Sequence, residues 1–188
     1  MFYLVRHGQT DWNLARKIQG YLDIPLNATG RSEAEICRQR LTCVSLDQII
    51  SSDLSRAMQT AAIINETLSL PISYDSRLRE LNMGDLQGMV KDDISDESWN
   101  LLNHEPHKIH AESLEEYYLR AKSFFNDIDH TKNTLIVTHG GFIRITKFLA
   151  DHPQAFDQDE FERTYLAFKI KNTAVFEWNG ADLFEPLE

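Results

Sequence analysis

Two histidines of this 188-residue chain occupy the same kind of position. His7 follows the apolar run Phe2-Tyr3-Leu4-Val5 and Arg6, and Gly8 comes next. His139 follows Thr134-Leu135-Ile136-Val137-Thr138 and precedes Gly140-Gly141. Each run is short, apolar and rich in β-branched or aromatic residues, a pattern that predicts a buried strand. Ligands sit at the carboxyl ends of strands in α/β sheets, and glycine there lets them approach the backbone. A neutral imidazole is nucleophilic near pH 7, so His7 is the candidate nucleophile and Arg6 the holder of the anion it attacks. A third strand-to-helix junction, Ser51-Ser52-Asp53-Leu54-Ser55-Arg56, adds a second arginine. In the first turn of a helix that cation opposes the dipole unless an anion lies beside it. Taken singly, Arg56 reads more simply as a surface arginine, and each histidine as a satisfied polar residue. Taken together, two guanidinium groups and two imidazoles at one sheet edge match a phosphate dianion in charge and bidentate geometry.

These side chains need strands to carry them. Besides the two runs above, Gln48 to Ser52 and Pro71 to Tyr74 read as strands, and the end of the chain reads as two more. Those are Tyr165 to Ile170 and Thr173 to Trp178, joined by Lys171-Asn172. Asp11 to Arg16 reads as a short helical turn. Helices are predicted from Thr29, as N-cap, to about residue 44, and from Leu54 to Leu68 after the capping residues Ser51-Ser52-Asp53. Ser113-Leu114-Glu115-Glu116 is a capping box that opens a helix to about Ile128, and Phe142 to Ala150 is helical. Gln19 to Leu26 carries Gly and Pro without periodicity and is a loop placed to wall the site. Residues 91–111 are polar and read as an insertion beside the core that lines the pocket. Strands alternating with helices predict an α/β three-layer domain, and no repeat or linker divides residues 1–188 into two.

Composition narrows the function. The 42% hydrophobic and 26% charged fractions fit an ordinary globular domain. A net charge of −10 repels nucleic acid and anionic membrane, so an anionic substrate must be held by local Arg and His residues. The N-terminal apolar run is too short for a secretory signal, and nothing later approaches a membrane span. Cys37 and Cys43, six apart on one predicted helix, would lie about 9 Å apart along its axis, beyond disulfide reach. Two reduced thiols fit a cytoplasmic protein.

The sequence resembles the histidine phosphatase superfamily, the group that includes cofactor-dependent phosphoglycerate mutases. The resemblance is carried in order by Leu4-Val5-Arg6-His7-Gly8-Gln9-Thr10 with Trp12-Asn13, then Gln19-Gly20, Asp23-Ile24-Pro25-Leu26 and Thr29-Gly30. It continues through Ser51 to Ala61, Leu78-Arg79-Glu80-Leu81-Asn82-Met83-Gly84 and Val137-Thr138-His139-Gly140-Gly141. It implies a phosphoglycerate mutase-like sandwich, with a mostly parallel central sheet and helices on both faces. It further implies that His7 is phosphorylated, that Arg6, Asn13, Arg56 and His139 bind the phosphoryl oxygens, and that Glu80 gives and takes the proton. Such a phosphatase-type member hydrolyses a small phosphorylated metabolite and needs no metal or other cofactor, since the arginines neutralise the phosphoryl charge. Phosphoglycerate mutase-type transfer and a catalytically idle binding module of the same fold are the alternatives, and monomer and homodimer both stay open. Several positions depart from the family pattern: Gln9, Glu33, Leu86, Gln87 and Ala111. Leu86, Gln87 and Ala111 are placed to alter the pocket wall. His104, His107 and His110 are spaced by three, but Pro106 interrupts any regular face, so they read as a solvated segment lining the pocket and not as a metal site.

Overall fold

The apolar residues after Met1 alternate between two environments. Phe2 and Leu4 share a core with Ile136, Phe142 and Ile143, whereas Tyr3 and Val5 pack with Ile49, Leu135 and Val137. Side chains along a strand point alternately to opposite faces, so both faces of this strand are covered. Full burial of each such aliphatic side chain contributes about 1.5–3 kcal/mol.

The computed structural model describes residues 1–180 and 184–187. Its strands are β1 (Phe2–Arg6), β2 (Gln48–Ser51), β3 (Ile72–Tyr74), β4 (Thr134–Thr138), β5 (Val175–Trp178) and β6 (Phe184–Pro186). They form one sheet in the order β3-β2-β4-β1-β5-β6. The pairs β2/β3, β2/β4 and β1/β4 are parallel, while β5 runs antiparallel to both β1 and β6. The helices are α1 (Asp11–Leu14), α2 (Ala28–Leu41), α3 (Ser55–Leu68), α4 (Asp96–His104), α5 (Leu114–Asp127), α6 (Gly140–Asp151) and α7 (Gln158–Thr164). Helices α2 and α3 cover one face through Cys37, Leu41, Ala57, Ala61 and Ile64. Helices α5, α6 and α7 cover the other, with Tyr117, Phe124, Phe142, Phe148 and Phe161. The fold is the expected three-layer α/β sandwich around a mostly parallel sheet. Among the described residues no helix is long and apolar enough to cross a membrane.

Several local expectations are corrected. Helix α2 is capped by Asn27, whose side chain accepts from the Gly30 N–H at 2.9 Å, and not by Thr29. It ends at Leu41, so exposed Cys43 lies beyond it; both thiols are free. The N-cap of α3 is Leu54, which has no side-chain oxygen to offer. Asp23 takes that role from the preceding loop, accepting from Ser55 N–H at 2.6 Å and from Ser55 Oγ at 2.7 Å. Helix α6 begins at Gly140, directly after His139.

The largest correction concerns residues 165–170, which form no strand. Helix α7 leads into a turn there, with Phe161 and Tyr165 stacked at 6.0 Å and the Tyr165 hydroxyl bonded to Asp151. The backbone of the stretch is used elsewhere: the Tyr165 and Leu166 N–H groups donate back to Phe161 O at the end of α7, the Phe168 N–H donates to Tyr165 O, and the Phe168 and Ile170 carbonyls accept from Arg144 and Arg6, so no ladder with a neighbouring strand forms. The second neighbour of β5 is therefore β6. Residues 91–111 are also more ordered than their polarity suggests: α4, capped by Ser95, packs Leu102 with Leu86, Ile94, Ile109 and Ala111 in a separate small core.

Candidate active site

Register brings the two histidines together. Arg6 pairs with Thr138 across β1 and β4, and Ser51 pairs with Val137 across β2 and β4. The next residues, His7, His139 and Ser52, thus emerge side by side, with the two imidazole centroids 5.1 Å apart. The His7 N–H donates to the Thr138 carbonyl at 2.9 Å, and Asn172 Nδ2 donates to the His7 carbonyl at 2.9 Å. Gly8 is needed just beyond. A Cβ there would lie 2.3 Å from the Gly30 carbonyl oxygen, so the strand end rests directly on the start of α2. The departures Gln9 and Glu33 meet here too, as the Gln9 N–H donates to Glu33 Oε2 at 2.7 Å.

The His7 tautomer follows from its neighbour. Nδ1 lies 2.7 Å from the Gly8 carbonyl, which can only accept, so Nδ1 carries the proton and Nε2 keeps its lone pair. The ring is buried. Burial, then the charges of Arg56 and Arg6, hold its pKa well below the ordinary histidine value. The imidazole is neutral at neutral pH.

Arg56 is fully buried, which overturns its reading as a surface residue. Nη1 donates to Leu22 O at 2.8 Å and Nη2 to Gly20 O at 2.7 Å, so the early loop wraps around the guanidinium. Burial pushes its pKa down to about 10. Its Nε donates to His139 Nδ1 at 3.3 Å. The proton of His139 must then sit on Nε2, which donates to Ser52 Oγ at 2.9 Å. Burial first, then Arg56, lowers the His139 pKa well below normal. Arg6 donates from Nη1 to Ile170 O at 2.5 Å, while its Nε is buried without a hydrogen-bond partner. Asn13 closes a capping box with Thr10 at the start of α1, accepting from Thr10 N–H through Oδ1 at 3.1 Å.

Glu80 approaches from the segment after β3. Oε1 accepts from the Tyr117 hydroxyl at 3.0 Å and the Leu81 N–H at 3.1 Å, and Oε2 accepts from the Gly141 N–H at 3.1 Å. Arg120 secures this segment by donating to the carbonyls of Arg77, Arg79 and Glu80. It also donates to both oxygens of Glu112, at 2.8 Å each, and lies 4.5 Å over the Tyr117 ring. Sequence reasoning missed Tyr117, Arg120, Glu112 and Asp23 as parts of the site. The capping box at Ser113 did put Tyr117 and Arg120 on one helix, but no local signal aims them at Glu80.

Arg6, His7, Asn13, Arg56 and Glu80 all line one cavity of about 530 Å³. His139 stands against His7 and Arg56 with both ring nitrogens engaged by the protein. The outer wall includes Ile18, Leu81, Met83, Leu114 and, from the 91–111 segment, Lys91, Trp99, Leu102 and Asn103. The three spaced histidines are not in that wall. His110 faces Asp85 at 3.1 Å, and His107 lies 3.9 Å from Glu116. Leu86 and Ala111 are buried in the small core behind the wall, and Gln87 accepts from the Tyr21 N–H at 2.5 Å. None of these three departures touches the cavity.

A buried neutral imidazole with a free Nε2, two guanidinium groups and a carboxyl group on one cavity can hold a phosphoryl group and move it. Comparison with known proteins leads the same way. The chain matches the family model of the histidine phosphatase superfamily (branch 1) over residues 2–179. It is 40% identical over 140 residues to an uncharacterized phosphatase PhoE of Bacillus subtilis (strain 168), covering 74% of this chain and 72% of that one. It is 47% identical over 95 residues to a probable phosphoglycerate mutase GpmB of Salmonella choleraesuis (strain SC-B67). That match covers 50% of this chain and spans less than half, 44%, of that relative. Its fold superposes on a mycobacterial glucosyl-3-phosphoglycerate phosphatase in complex with VO3 with a TM-score of 0.79, covering 98% and 96% of the two chains at 24% identity. The motifs, the sheet and the family match agree: this chain belongs to the histidine phosphatase superfamily, branch 1, and has the phosphoglycerate mutase-like fold.

Proposed function

We propose that the chain is a phosphomonoesterase that hydrolyses a small phosphorylated metabolite through a phosphohistidine on His7. The state of His7 carries this reading: it is buried and neutral, with Nδ1 bonded to Gly8 O and Nε2 left as the nucleophile. Nε2 attacks phosphorus, the P–N bond forms, and the P–O ester bond breaks in line with it. The leaving oxygen takes its proton from Glu80. Water then attacks phosphorus and gives a proton to Glu80, the P–N bond breaks, and inorganic phosphate departs. Arg6, Arg56 and Asn13 hold the non-bridging oxygens. Arg6 Nε, a buried donor awaiting an acceptor, gains one when the phosphoryl group binds. His139 orients Arg56 through Nδ1, and its Nε2–H turns from Ser52 to a phosphoryl oxygen.

The two guanidinium groups supply the charge that Mg²⁺ supplies at other phosphoryl-transfer sites, so the reaction needs no metal and EDTA leaves the rate unchanged. Its two free thiols suit a cytoplasmic setting. Rapid acid-free quenching with a ³²P-labelled aryl phosphate tests the mechanism. The expected result is an acid-labile phosphoprotein that His7→Asn abolishes, with free phosphate released; in a parallel assay 3-phosphoglycerate is expected to give no 2-phosphoglycerate. Turnover by His7→Asn near the wild-type rate would falsify the nucleophile assignment, and isomerisation without net phosphate release would make the chain a mutase.

A further inference from the structure

Two side chains grip opposite ends of the peptide that links His7 to Gly8. Asn172 Nδ2 donates to the His7 carbonyl at 2.9 Å, and the Gly8 N–H donates to Thr60 Oγ1 at 3.1 Å. Asn172 lies 165 residues from His7 and Thr60 lies 52 from Gly8, and neither lines the cavity. The peptide they hold matters because the next carbonyl, that of Gly8, accepts from His7 Nδ1 at 2.7 Å and so fixes the tautomer. Glycine leaves this stretch of backbone with more freedom than any other residue would. The two bonds remove it.

Each grip is itself held. Thr60 is fully buried on α3, and its hydroxyl proton goes to the Arg56 carbonyl at 2.7 Å, which leaves a lone pair for the Gly8 N–H. One hydroxyl thus ties the peptide after His7 to the backbone of Arg56. Asn172 stands in a turn closed by the Ala174 N–H on Lys171 O at 3.2 Å. The next residue, Thr173, has a φ of 52°, in the left-handed region where a β-branched residue is a rare outlier. Such strain persists only where the surroundings impose it. Here the Thr173 N–H donates to Arg6 O at 3.0 Å and the Arg6 N–H to Ala174 O at 3.2 Å, so the turn is bound to the strand that carries His7.

We infer that Thr60 and Asn172 are positioning residues for phosphoryl transfer, a clamp on the His7–Gly8 peptide that keeps the His7 proton on Nδ1 and the lone pair on Nε2. The inference rests on the phosphatase reading above and deepens it by naming what holds the nucleophile. Freed of either bond, the peptide can turn and carry the Gly8 carbonyl away from Nδ1. The proton can then sit on Nε2, and a ring so protonated has no lone pair there to attack phosphorus.

The test uses Thr60→Val, which removes the hydroxyl at nearly constant volume, Thr60→Ser, which keeps it, and Asn172→Ala. Two quantities are measured: steady-state kinetics on phenyl phosphate, and the imidazole ¹⁵N shifts of His7 at neutral pH, assigned by their loss in His7→Asn. The wild type is expected to show the Nδ1-protonated tautomer. Thr60→Val and Asn172→Ala should each lower kcat about tenfold, part of the cost of a misplaced reacting group, and mix in the other tautomer. KM should hardly change, since neither residue lines the cavity. Thr60→Ser should restore both kcat and the tautomer. Wild-type kcat in either disrupting variant, or a lowered kcat with the wild-type tautomer, overturns the clamp and leaves the phosphatase reading standing. If Thr60→Val does not fold, Asn172→Ala decides by the same two measurements. If the wild type hydrolyses no phosphate ester, the phosphatase reading fails and the ¹⁵N shifts decide alone: a mixed tautomer in the variants supports the clamp, and an unchanged one overturns it.

Discussion

A Cβ on Gly141 would lie 2.0 Å from Oε1 of Glu80. The carboxyl group occupies the space a side chain would take, and the Gly141 N–H donates to its other oxygen at 3.1 Å. Gly141→Ala should therefore displace Glu80 while leaving the helix intact, since alanine is the better helix former. Misplacing a reacting group by about 1 Å costs up to about 100-fold. We expect kcat on an aryl phosphate to fall at least tenfold on that scale, with thermal stability nearly unchanged. A wild-type kcat in this variant would remove Glu80 from the proton-transfer step.

Tyr117→Phe isolates one of the bonds that hold Glu80. The ring keeps its packing against Phe142, 6.1 Å away, and beneath Arg120. Loss of the hydroxyl should cost about 1 kcal/mol of stability and a several-fold drop in kcat, with little change in KM. Denaturant unfolding and steady-state kinetics check both. A variant that loses stability but keeps full kcat would make Tyr117 a packing residue only.

The two buried imidazoles set the response to acid. In the unfolded chain both take up protons near pH 6.5, whereas the folded chain protonates them only well below that. Between those limits the unfolded state binds more protons, so stability rises with pH up to about 6.5 and is lost as pH falls below it. Urea midpoints measured from pH 7 to pH 5 should fall steeply in the wild type and less steeply in His7→Asn. Equal slopes would mean that His7 is solvated in the folded chain. For the same reason the acid limb of the activity profile should lie below pH 6.5.

Glu112 and Arg120 form a pair whose side chains are only 13% and 15% exposed. Glu112→Ala leaves the guanidinium uncompensated while it still faces the carbonyls of residues 77, 79 and 80. Breaking a buried pair in this way costs about 3–5 kcal/mol, and the Glu80 segment should loosen with it. Chemical unfolding gives the first quantity, and amide exchange at residues 77–81 reports the second. A loss below about 1 kcal/mol, the range of exposed pairs, would show that water reaches the pair in solution.

Much of the site is legible in the chain itself. The apolar runs before His7 and His139 specify two strands by composition alone, and the turn glycines mark where each strand ends. The capping box at Ser113 defines α5, because Ser113 and Glu116 satisfy each other's backbone donors within one turn. These are local interactions, complete within a few residues. Reading residues 165–170 as a strand went wrong for the complementary reason: the carbonyls of Phe168 and Ile170 are taken by Arg144 and by Arg6, residues distant in the chain, and not by a neighbouring strand.

The sequence by itself determined the strand ends, the histidine and arginine that stand at the end of β1, and the family, because each is written in contiguous residues. Only the tertiary structure decided that Arg56 is buried under the Gly20 and Leu22 carbonyls and that Asp23 caps α3. It alone brought Glu80 to Tyr117 and Gly141, and Arg6 to Ile170, 164 residues away. Those contacts join separate layers of the sandwich. They depend on register and packing, which no single segment encodes.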